Sequence, residues 1–110
     1  MVESSTYDLD YIFQALSDPT RRSILRKIAK RERAITEVAE SYSMSLAAVS
    51  KHIQSLERAR LVTRRKEGSY SYISLNADAM SSADKWIQYY RGFWEGNLKS
   101  LKNFIENEDK

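Results

Sequence analysis

The apolar residues near the start of the chain recur three and four positions apart, which is the spacing of a helix with one buried face. This pattern predicts a first helix over residues 8–16 and a second helix that begins at Pro19. Asp18 is expected to cap the second helix, and proline is tolerated at a first helical position because its missing N–H needs no partner there. The predicted buried residues are Leu9, Ile12, Phe13 and Leu16 in the first helix and Ile24, Leu25 and Ile28 in the second.

Residues 36–59 have the pattern of a helix-turn-helix. A short helix is expected after Thr36 and a longer one after Ser45, because both residue types are good helix caps. Just before them, Ile35 is predicted to form a short bridging strand or a buried plug. The longer helix has an apolar stripe made of Val49, Ile53 and Leu56. At about 100° per residue, its opposite side carries Ala47, Ser50, Lys51 and Gln54, with Leu46 at the border.

Residues 61–76 predict a hairpin of two strands. They are rich in β-branched and aromatic side chains, and Gly68 at the tip can adopt the positive φ that a tight turn requires. A helix-turn-helix followed by such a hairpin is the order of a winged helix-turn-helix, which presents one helix to a DNA groove. We therefore predict a mostly α fold with a small β-hairpin, built from four helices, a β-wing and a fifth helix, in a single domain spanning residues 1–110.

The last helix, predicted over residues 78–106, is rich in large apolar side chains. A winged helix of 110 residues cannot bury this face together with the apolar face of residues 8–16, and a large exposed apolar surface normally marks an interface. We therefore predict that these two helices form a homodimer. An aromatic pocket for an apolar effector is the alternative, and it is compatible with a dimer. The predicted interface residues are Leu9, Ile12, Phe13, Leu16, Trp86, Tyr90, Phe93, Trp94, Leu98, Leu101 and Ile105.

The net charge of +3 conceals a separation of charge along the chain. Between Arg21 and Lys66 there are 13 Lys or Arg and 4 Asp or Glu, a net charge of +9, and the remainder carries −6. Because the basic block coincides with the helix-turn-helix, we interpret it as a phosphate-binding surface. A basic face that is merely solvated is the alternative.

The composition also excludes several functions. The absence of cysteine excludes disulfides, zinc fingers and thiolate catalysis. No apolar run approaches the roughly 18 residues of a membrane span, and the first residues lack the pattern of a signal peptide, so we expect a cytoplasmic chain without a membrane partner. His52 is the only histidine, and no nucleophile and base can be assembled around it, so we do not expect an enzyme or a catalytic residue.

Three separated segments resemble the ArsR-type (arsenic-repressor-like) transcriptional regulators. Residues 18–25 read D-P-T-R-R-S-I-L and are similar to a family motif, residues 44–53 resemble its recognition helix, and residues 90–95 resemble the last helix of a metal-independent branch. The similarity covers roughly residues 8–105. It implies a homodimeric repressor whose first and last helices form the dimer. It also implies a near-palindromic operator in double-stranded DNA, at the promoter of its own gene.

The chain departs from the family pattern at the sensing positions. Ala39 and Ser41 stand where metal-sensing members carry cysteines, and the last helix has no histidine, so neither a metal nor a cofactor is expected. Arg60 stands where the family usually has glycine, and the tip of the wing is less basic than usual, which implies weaker wing contact with the minor groove. The effector is unknown. A switch that responds to a small molecule or a metal through carboxylates such as Asp84 and Glu95 stays open, and so does a protein-interaction adaptor.

The side chains expected to contact DNA form two groups. Lys51 and Gln54 are predicted to read bases, since lysine donates to guanine and glutamine pairs with adenine, although a phosphate contact is the alternative for Lys51. The cations outside this helix are expected to contact phosphates, which position a protein without reading sequence. Arg21 and Arg22 have the alternative of pairing internally, with Asp18 or an acid on the last helix. The predicted DNA-binding residues are Ser45, Leu46, Ala47, Ser50, Lys51, His52, Gln54, Arg21, Arg22, Arg64, Arg65 and Lys66.

His52 lies on the flank of the longer helix, between the stripe that faces the core and the side that faces the groove. We predict that it braces the helix against the fold. Contact with DNA and an effect of pH on binding are the alternatives.

Overall fold

The computed structural model describes residues 7–108, apart from the side chains of Phe93, Trp94 and Glu108. Within those residues the chain forms five helices and three strands, in the order predicted for a winged helix-turn-helix. The elements are α1 Leu9–Leu16, α2 Pro19–Lys30, β1 Arg33–Ala34, α3 Ile35–Glu40, α4 Leu46–Arg58, β2 Val62–Glu67, β3 Tyr70–Leu75 and α5 Ala77–Glu108.

The turn between α1 and α2 is built from local capping interactions. The Asp18 side chain accepts hydrogen bonds from the backbone N–H of Thr20 (2.8 Å) and Arg21 (3.1 Å), and Pro19 occupies the first position of α2. This confirms the predicted cap. Two of the backbone N–H groups that have no partner within the helix thereby gain a hydrogen bond, which fixes where α2 begins.

The start of α3 differs from the prediction. The helix begins at Ile35 and is preceded by Ala34, whose methyl group cannot accept a hydrogen bond, so the predicted cap at Thr36 is wrong. The reason lies in β1, because Arg33 and Ala34 pair with β3 and the chain passes directly from strand into helix. Ile35 is 8% exposed and is therefore a buried plug and not the strand itself.

The wing is a three-stranded antiparallel sheet with the order β1-β3-β2. β2 and β3 form the predicted hairpin, in which Arg65 lies opposite Tyr72, and Gly68 at its tip has φ 61°. The short strand β1 adds a third member on the other side of β3. The hairpin is thus joined to the helical body along β3, whereas β2 is the edge strand of the sheet.

The end of α4 is closed by Arg60, which has φ 63°. The backbone N–H of Leu61 donates to the carbonyl of Leu56 (2.9 Å) and that of Arg60 donates to the carbonyl of Glu57 (2.9 Å), which is a Schellman motif. Asn76 holds the turn from the other side, since its Nδ2 donates to the Arg60 carbonyl (2.8 Å) and its backbone N–H donates to the Leu61 carbonyl (2.9 Å). This turn therefore requires a left-handed backbone conformation at position 60, where the chain has arginine.

We expect Arg60→Gly to raise the free energy of unfolding by about 0.5–1 kcal/mol, because relief of the left-handed strain exceeds the extra chain entropy of glycine. Urea denaturation monitored by circular dichroism measures the change. Arg58→Gly is the matched control, since Arg58 is the last residue of α4 and glycine there should cost about 1 kcal/mol. Equal destabilisation by the two variants would contradict the account of this turn.

The core lies between the helices and the sheet. The predicted stripe of α4, made of Val49, Ile53 and Leu56, is completely buried, and Ile24, Leu25 and Ile28 of α2 are also buried. The predicted inward faces of both helices are therefore confirmed. Since these side chains point into the protein, the positions between them on α4 must point outward.

The apolar face of α1 is divided between the protein's own core and its surface. Ile12 is 0% exposed, so it has no surface left for a partner and its assignment to the dimer interface is wrong. The face is wide enough that its centre, Ile12 with Ala15, turns into the core. Leu9, Phe13 and Leu16 lie at its edges, and they are half-buried against the same core.

Among the described side chains of α5, those that pack on the rest of the protein lie near the start of the helix. Ala79 and Ala83 are buried, and Trp86 contacts Phe13 of α1 with ring centroids 5.5 Å apart. Because a helix rises 1.5 Å per residue, the 32 residues of α5 extend for about 48 Å, far beyond the eight residues of α1. Large apolar side chains on α5 are consequently exposed, namely Trp86, Ile87, Tyr89, Tyr90, Leu98, Leu101, Phe104 and Ile105.

Candidate nucleic-acid interface

The outward side of α4 carries the side chains with the chemistry to read DNA. Lys51 and Gln54 are both exposed, on the side opposite the buried stripe, and Ala47 between them and the helix start is exposed as well. Residues three apart on a helix are neighbours on its surface, so the ammonium group and the amide address adjacent positions of a ligand. Lysine can donate to guanine and a glutamine amide matches adenine in the major groove.

The start of α4 adds small polar groups to this side. Ser45 caps the helix, because its hydroxyl accepts from the backbone N–H of Ala48 at 3.1 Å, which confirms the predicted cap. The same hydroxyl keeps its own hydrogen for donation to a phosphate or a base. Leu46 is exposed beside it, and Ser50 one turn later is half-buried.

Arg21 and Arg22 are engaged with α1. Arg21 donates from Nε to the Ala15 carbonyl (2.8 Å) and from Nη2 to the Gln14 carbonyl (3.0 Å), and Arg22 donates from Nη1 to the Leu16 carbonyl (2.7 Å). These are the last carbonyls of α1, which have no partner within the helix, and cations are favourable at this end of the helix dipole. The internal alternative is therefore favoured for both arginines, with carbonyl oxygens as partners and not the carboxylates expected from the sequence.

His52 is half-buried on the side of α4 that faces α2. Its Nδ1 lies 3.2 Å from Nη1 of Arg21. A guanidinium can only donate, so Nδ1 of His52 is the atom placed to accept in this contact. This arrangement matches the predicted bracing role of His52 better than a direct contact with DNA.

Two arginines of the wing, Arg64 and Arg65, are engaged in ion pairs. Arg64 donates from Nε and Nη2 to both carboxylate oxygens of Glu57 (3.0 and 2.8 Å). Arg65 donates to both oxygens of Glu32 (3.2 and 2.7 Å) and to Glu67 (2.7 Å), and its guanidinium lies 4.7 Å from the ring centre of Tyr72. The hydrogen bonds from Arg65 hold the pKa of the Glu32 carboxyl below its usual value.

The ion pairs reduce the positive charge that the basic block, residues 21–66, has available for phosphates. Three of its four acids are paired with arginines, since Glu37 also binds Arg31 and Arg33. The positive charge left without an acidic partner among the described residues includes that of Arg26, Lys30, Lys51, Arg58 and Lys66, all of them exposed. Lys51 and Arg58 are seven residues apart on α4 and share one side of it, so part of this charge lies on the side with Gln54.

We expect Glu32→Gln to raise DNA affinity about twofold to fivefold at low salt, because it removes one of the two acids paired with Arg65, Glu67 being the other, and so leaves this guanidinium more available to a phosphate. The slope of log K against log salt should become steeper by up to roughly 0.9. Glu40→Gln makes the same change of charge at an exposed acid of α3 and is the control, with a smaller expected rise. If both variants bind DNA equally, general charge and not the Arg65 pair is responsible.

Aromatic side chains from α1 and α5 form a cluster at the end of the exposed apolar face that lies nearest to α1. Trp86 connects Phe13 to Tyr90, at 5.5 and 4.5 Å between ring centroids, and Tyr89 lies 5.0 Å from Tyr90. The predicted interface residues Leu98, Leu101 and Ile105 continue this face towards the end of α5 and are more than half exposed. The side chains of Phe93 and Trp94, also predicted here, lie outside the described part of the structure.

Two other features, a metal cluster and a membrane-spanning helix, were compared with the described residues. Among them, no group of three or more His, Asp or Glu side chains lies close enough to hold a metal ion. None of the helices in the described part of the chain is long and apolar enough to cross a membrane.

Sequence reasoning missed Glu32, Glu57 and Asn76. Glu32 and Arg65 are 33 residues apart, and no local pattern links them. The role of Asn76 could have been suspected from Arg60, since a non-glycine residue at the end of a helix needs outside support for a left-handed conformation.

Comparison with known proteins gives consistent results. A family model described as a helix-turn-helix domain matches residues 16–65. An HTH-type transcriptional regulator of Mycobacterium tuberculosis is 32% identical over 105 residues, covering 94% of this chain and 95% of the relative. The transcriptional repressor SdpR of Bacillus subtilis is 29% identical over 79 residues (72% of this chain, 88% of SdpR). The arsenical resistance operon repressor of Staphylococcus xylosus is 31% identical over 88 residues (71% and 85%).

Solved structures resemble the fold as well. The crystal structure of an ArsR family transcriptional regulator has a TM-score of 0.75 and 30% identity, covering 79% of this chain and 96% of that protein. A solution structure from Mycobacterium bovis, described as a homodimeric winged helix-turn-helix DNA-binding domain, has a TM-score of 0.60 and 25% identity, covering 83% and 82%.

Proposed function

The chain belongs to the ArsR family of winged helix-turn-helix transcriptional regulators, and we propose that it is a homodimeric repressor that binds a near-palindromic DNA operator. The observation that carries this proposal is the division of α4 into two sides. Val49, Ile53 and Leu56 anchor the helix in the core, while Lys51 and Gln54 are held outward on a rigid element. A rigid helix with donors and acceptors on its free side is the arrangement needed to read base edges in the major groove.

The dimer is proposed to form through α5 and the exposed edge of α1. Supporting this, α5 exposes large apolar side chains both within residues 86–90 and over residues 98–105, and an apolar surface of that extent is normally covered by a partner. A two-fold axis between the protomers would place the two copies of α4 about 34 Å apart, in successive major grooves. Each protomer would then read one half of the operator.

Repression follows from occupancy in this proposal. A dimer bound at a promoter, including that of its own gene, blocks access of RNA polymerase in the cytoplasm. The recognition helices supply sequence preference, and the exposed cations around them supply affinity for the phosphate backbone.

The test is selection of duplexes from a randomised pool with the full-length protein, followed by sedimentation of the protein with the enriched duplex. The expected result is two similar half-sites one turn apart and two protomers per duplex. Affinity should fall steeply with salt, with a log–log slope of roughly −0.9 for each phosphate contact. A pool without any enriched sequence, or one protomer per duplex, would overturn the proposal.

A further inference from the structure

A single guanidinium group, that of Arg21, connects three helices. Its Nε and Nη2 bind the carbonyls of Ala15 and Gln14 at the end of α1, at 2.8 and 3.0 Å. Its third nitrogen, Nη1, lies 3.2 Å from Nδ1 of His52 on α4. Arg21 itself is the third residue of α2, and its backbone N–H is held by the capping carboxylate of Asp18 at 3.1 Å.

This position lies between the helix proposed for dimerisation and the helix proposed for reading DNA. α1 packs against α5 through Phe13 and Trp86, whose ring centroids are 5.5 Å apart. The apolar stripe of α4 is held in the core by dispersion contacts, which are individually weak and non-directional. Hydrogen bonds have preferred directions, so the contact between Arg21 and His52 adds an orientational constraint that the core does not supply.

We propose that Arg21 and His52 form a positioning pair that sets the orientation of α4 relative to α1, and that specific DNA binding depends on this pair although neither residue contacts a base. The inference rests on the proposed function, because the orientation matters only if α4 reads DNA. In a two-fold dimer any error in that orientation occurs in both half-sites. The loss should therefore be large for the operator and small for unrelated DNA, to which binding is mainly electrostatic.

The pair requires a neutral imidazole. The guanidinium donates, so Nδ1 of His52 must accept, and a second proton would occupy Nδ1 and face a positive charge. The other charged group facing His52 is the carboxylate of Asp18, which attracts an imidazolium but cannot restore the lost acceptor. Partial burial raises the pKa of the Asp18 carboxyl. The backbone hydrogen bonds from Arg21 and Thr20 lower it, as do the charges of His52 and Arg21. The lowering effects are larger, so this pKa lies below its usual value. Asp18 is therefore charged throughout the range in which histidines titrate.

The sign of the pH dependence separates the two roles of His52. If His52 positions α4 as a neutral acceptor, affinity for the operator is complete at high pH and is lost as the pH falls. If His52 instead contacts a DNA phosphate, protonation strengthens binding, and affinity rises as the pH falls. As His52 is the only histidine of the chain, a transition that is present in the wild type and disappears in a His52 variant can be attributed to it.

The experiment measures the affinity of the full-length protein for the enriched duplex and for an unrelated duplex, by fluorescence anisotropy between about pH 8 and about pH 5.5. For the wild type we expect the ratio of the two affinities to fall about tenfold on acidification. In His52→Ala the ratio should already be low at the higher pH, and it should not change on acidification. In His52→Asn, whose amide oxygen can replace Nδ1 as acceptor but does not titrate, the ratio should be partly restored and independent of pH.

Arg21→Ala supplies the second readout. It should lower the ratio by about tenfold while leaving the slope of log K against log salt unchanged, whereas loss of a phosphate contact would lower that slope by roughly 0.9. Because this variant also loses the cap of α1, thermal unfolding is measured in parallel. If it does not fold, the histidine variants decide.

Several outcomes overturn the inference. These are a wild-type ratio that rises or stays constant on acidification, a His52→Asn protein with the same pH profile as the wild type, and a lowered salt slope in Arg21→Ala. A randomised pool that yields no enriched duplex is a different result, since it overturns the proposed function and the inference falls with it.

Discussion

Leu101→Glu is expected to convert the dimer into a monomer and to abolish operator binding. Leu101 is 54% exposed on the protomer and lies in the middle of the apolar face of α5. Burial of a leucine contributes about 1.5–3 kcal/mol, and a carboxylate placed in an apolar interface adds a desolvation penalty. In the proposed two-fold dimer the substitution enters the interface twice, so the dissociation constant of the dimer should rise by at least about 1,000-fold.

The protomer itself should stay folded, because Leu101 belongs to the exposed part of α5. Sedimentation velocity measures the oligomeric state, anisotropy with the enriched duplex measures binding, and circular dichroism checks the fold. Asn103→Glu is the matched control, since it adds the same charge two residues away, on the opposite side of the same helix. A dimeric Leu101→Glu protein, or a monomeric Asn103→Glu protein, would show that this face is not the interface.

Gln54→Ala and Lys51→Ala are expected to relax base preference. Each well-placed base contact contributes about 1–3 kcal/mol of discrimination, so each variant should lose roughly tenfold to a hundredfold in preference at one position of each half-site. Gln54 is uncharged, and its removal should leave the salt slope unchanged. Lys51→Ala should also reduce that slope if its ammonium group lies near a phosphate.

Repeating the selection from the randomised pool with each variant gives the measurement. Lys66→Ala in the wing is the contrasting variant, since it removes an exposed cation and should weaken all duplexes alike, with a slope reduced by roughly 0.9. If Gln54→Ala enriches the same sequence as the wild type, the outward side of α4 has been assigned wrongly.

The hydrophobic pattern was sufficient to predict the order of the elements. The stripe of Val49, Ile53 and Leu56 determined which side of α4 is buried, and capping residues such as Asp18 and Ser45 determined where helices begin. Both signals are local, because a helix brings together residues only three and four positions apart and a cap acts within one turn. The prediction at Thr36 was wrong where pairing between strands, a non-local interaction, decided the start of α3.

One residue of the predicted interface, Ile12, was assigned wrongly for a related reason. The pattern of α1 identified an apolar face but not what covers it. The structure divides that face, with Ile12 in the protein's own core and Phe13 against Trp86 of α5. The angle at which α1 crosses the other helices decides this division. That angle cannot be predicted from the spacing of apolar residues within α1 itself.

The sequence by itself thus determined the winged helix-turn-helix order, the inward side of each short helix, the excess of basic residues around the helix-turn-helix and the resemblance to the ArsR family. The tertiary structure alone decided which cations are available to DNA. Arg65 meets Glu32 across 33 residues and Arg21 meets His52 across 31, whereas Lys51 and Lys66 stay exposed. The physical reason is that charge and hydrophobic periodicity can be read along the chain. Hydrogen bonds and ion pairs between distant segments instead require two side chains to lie within about 3 Å of each other, and the packing of the core determines which side chains do so.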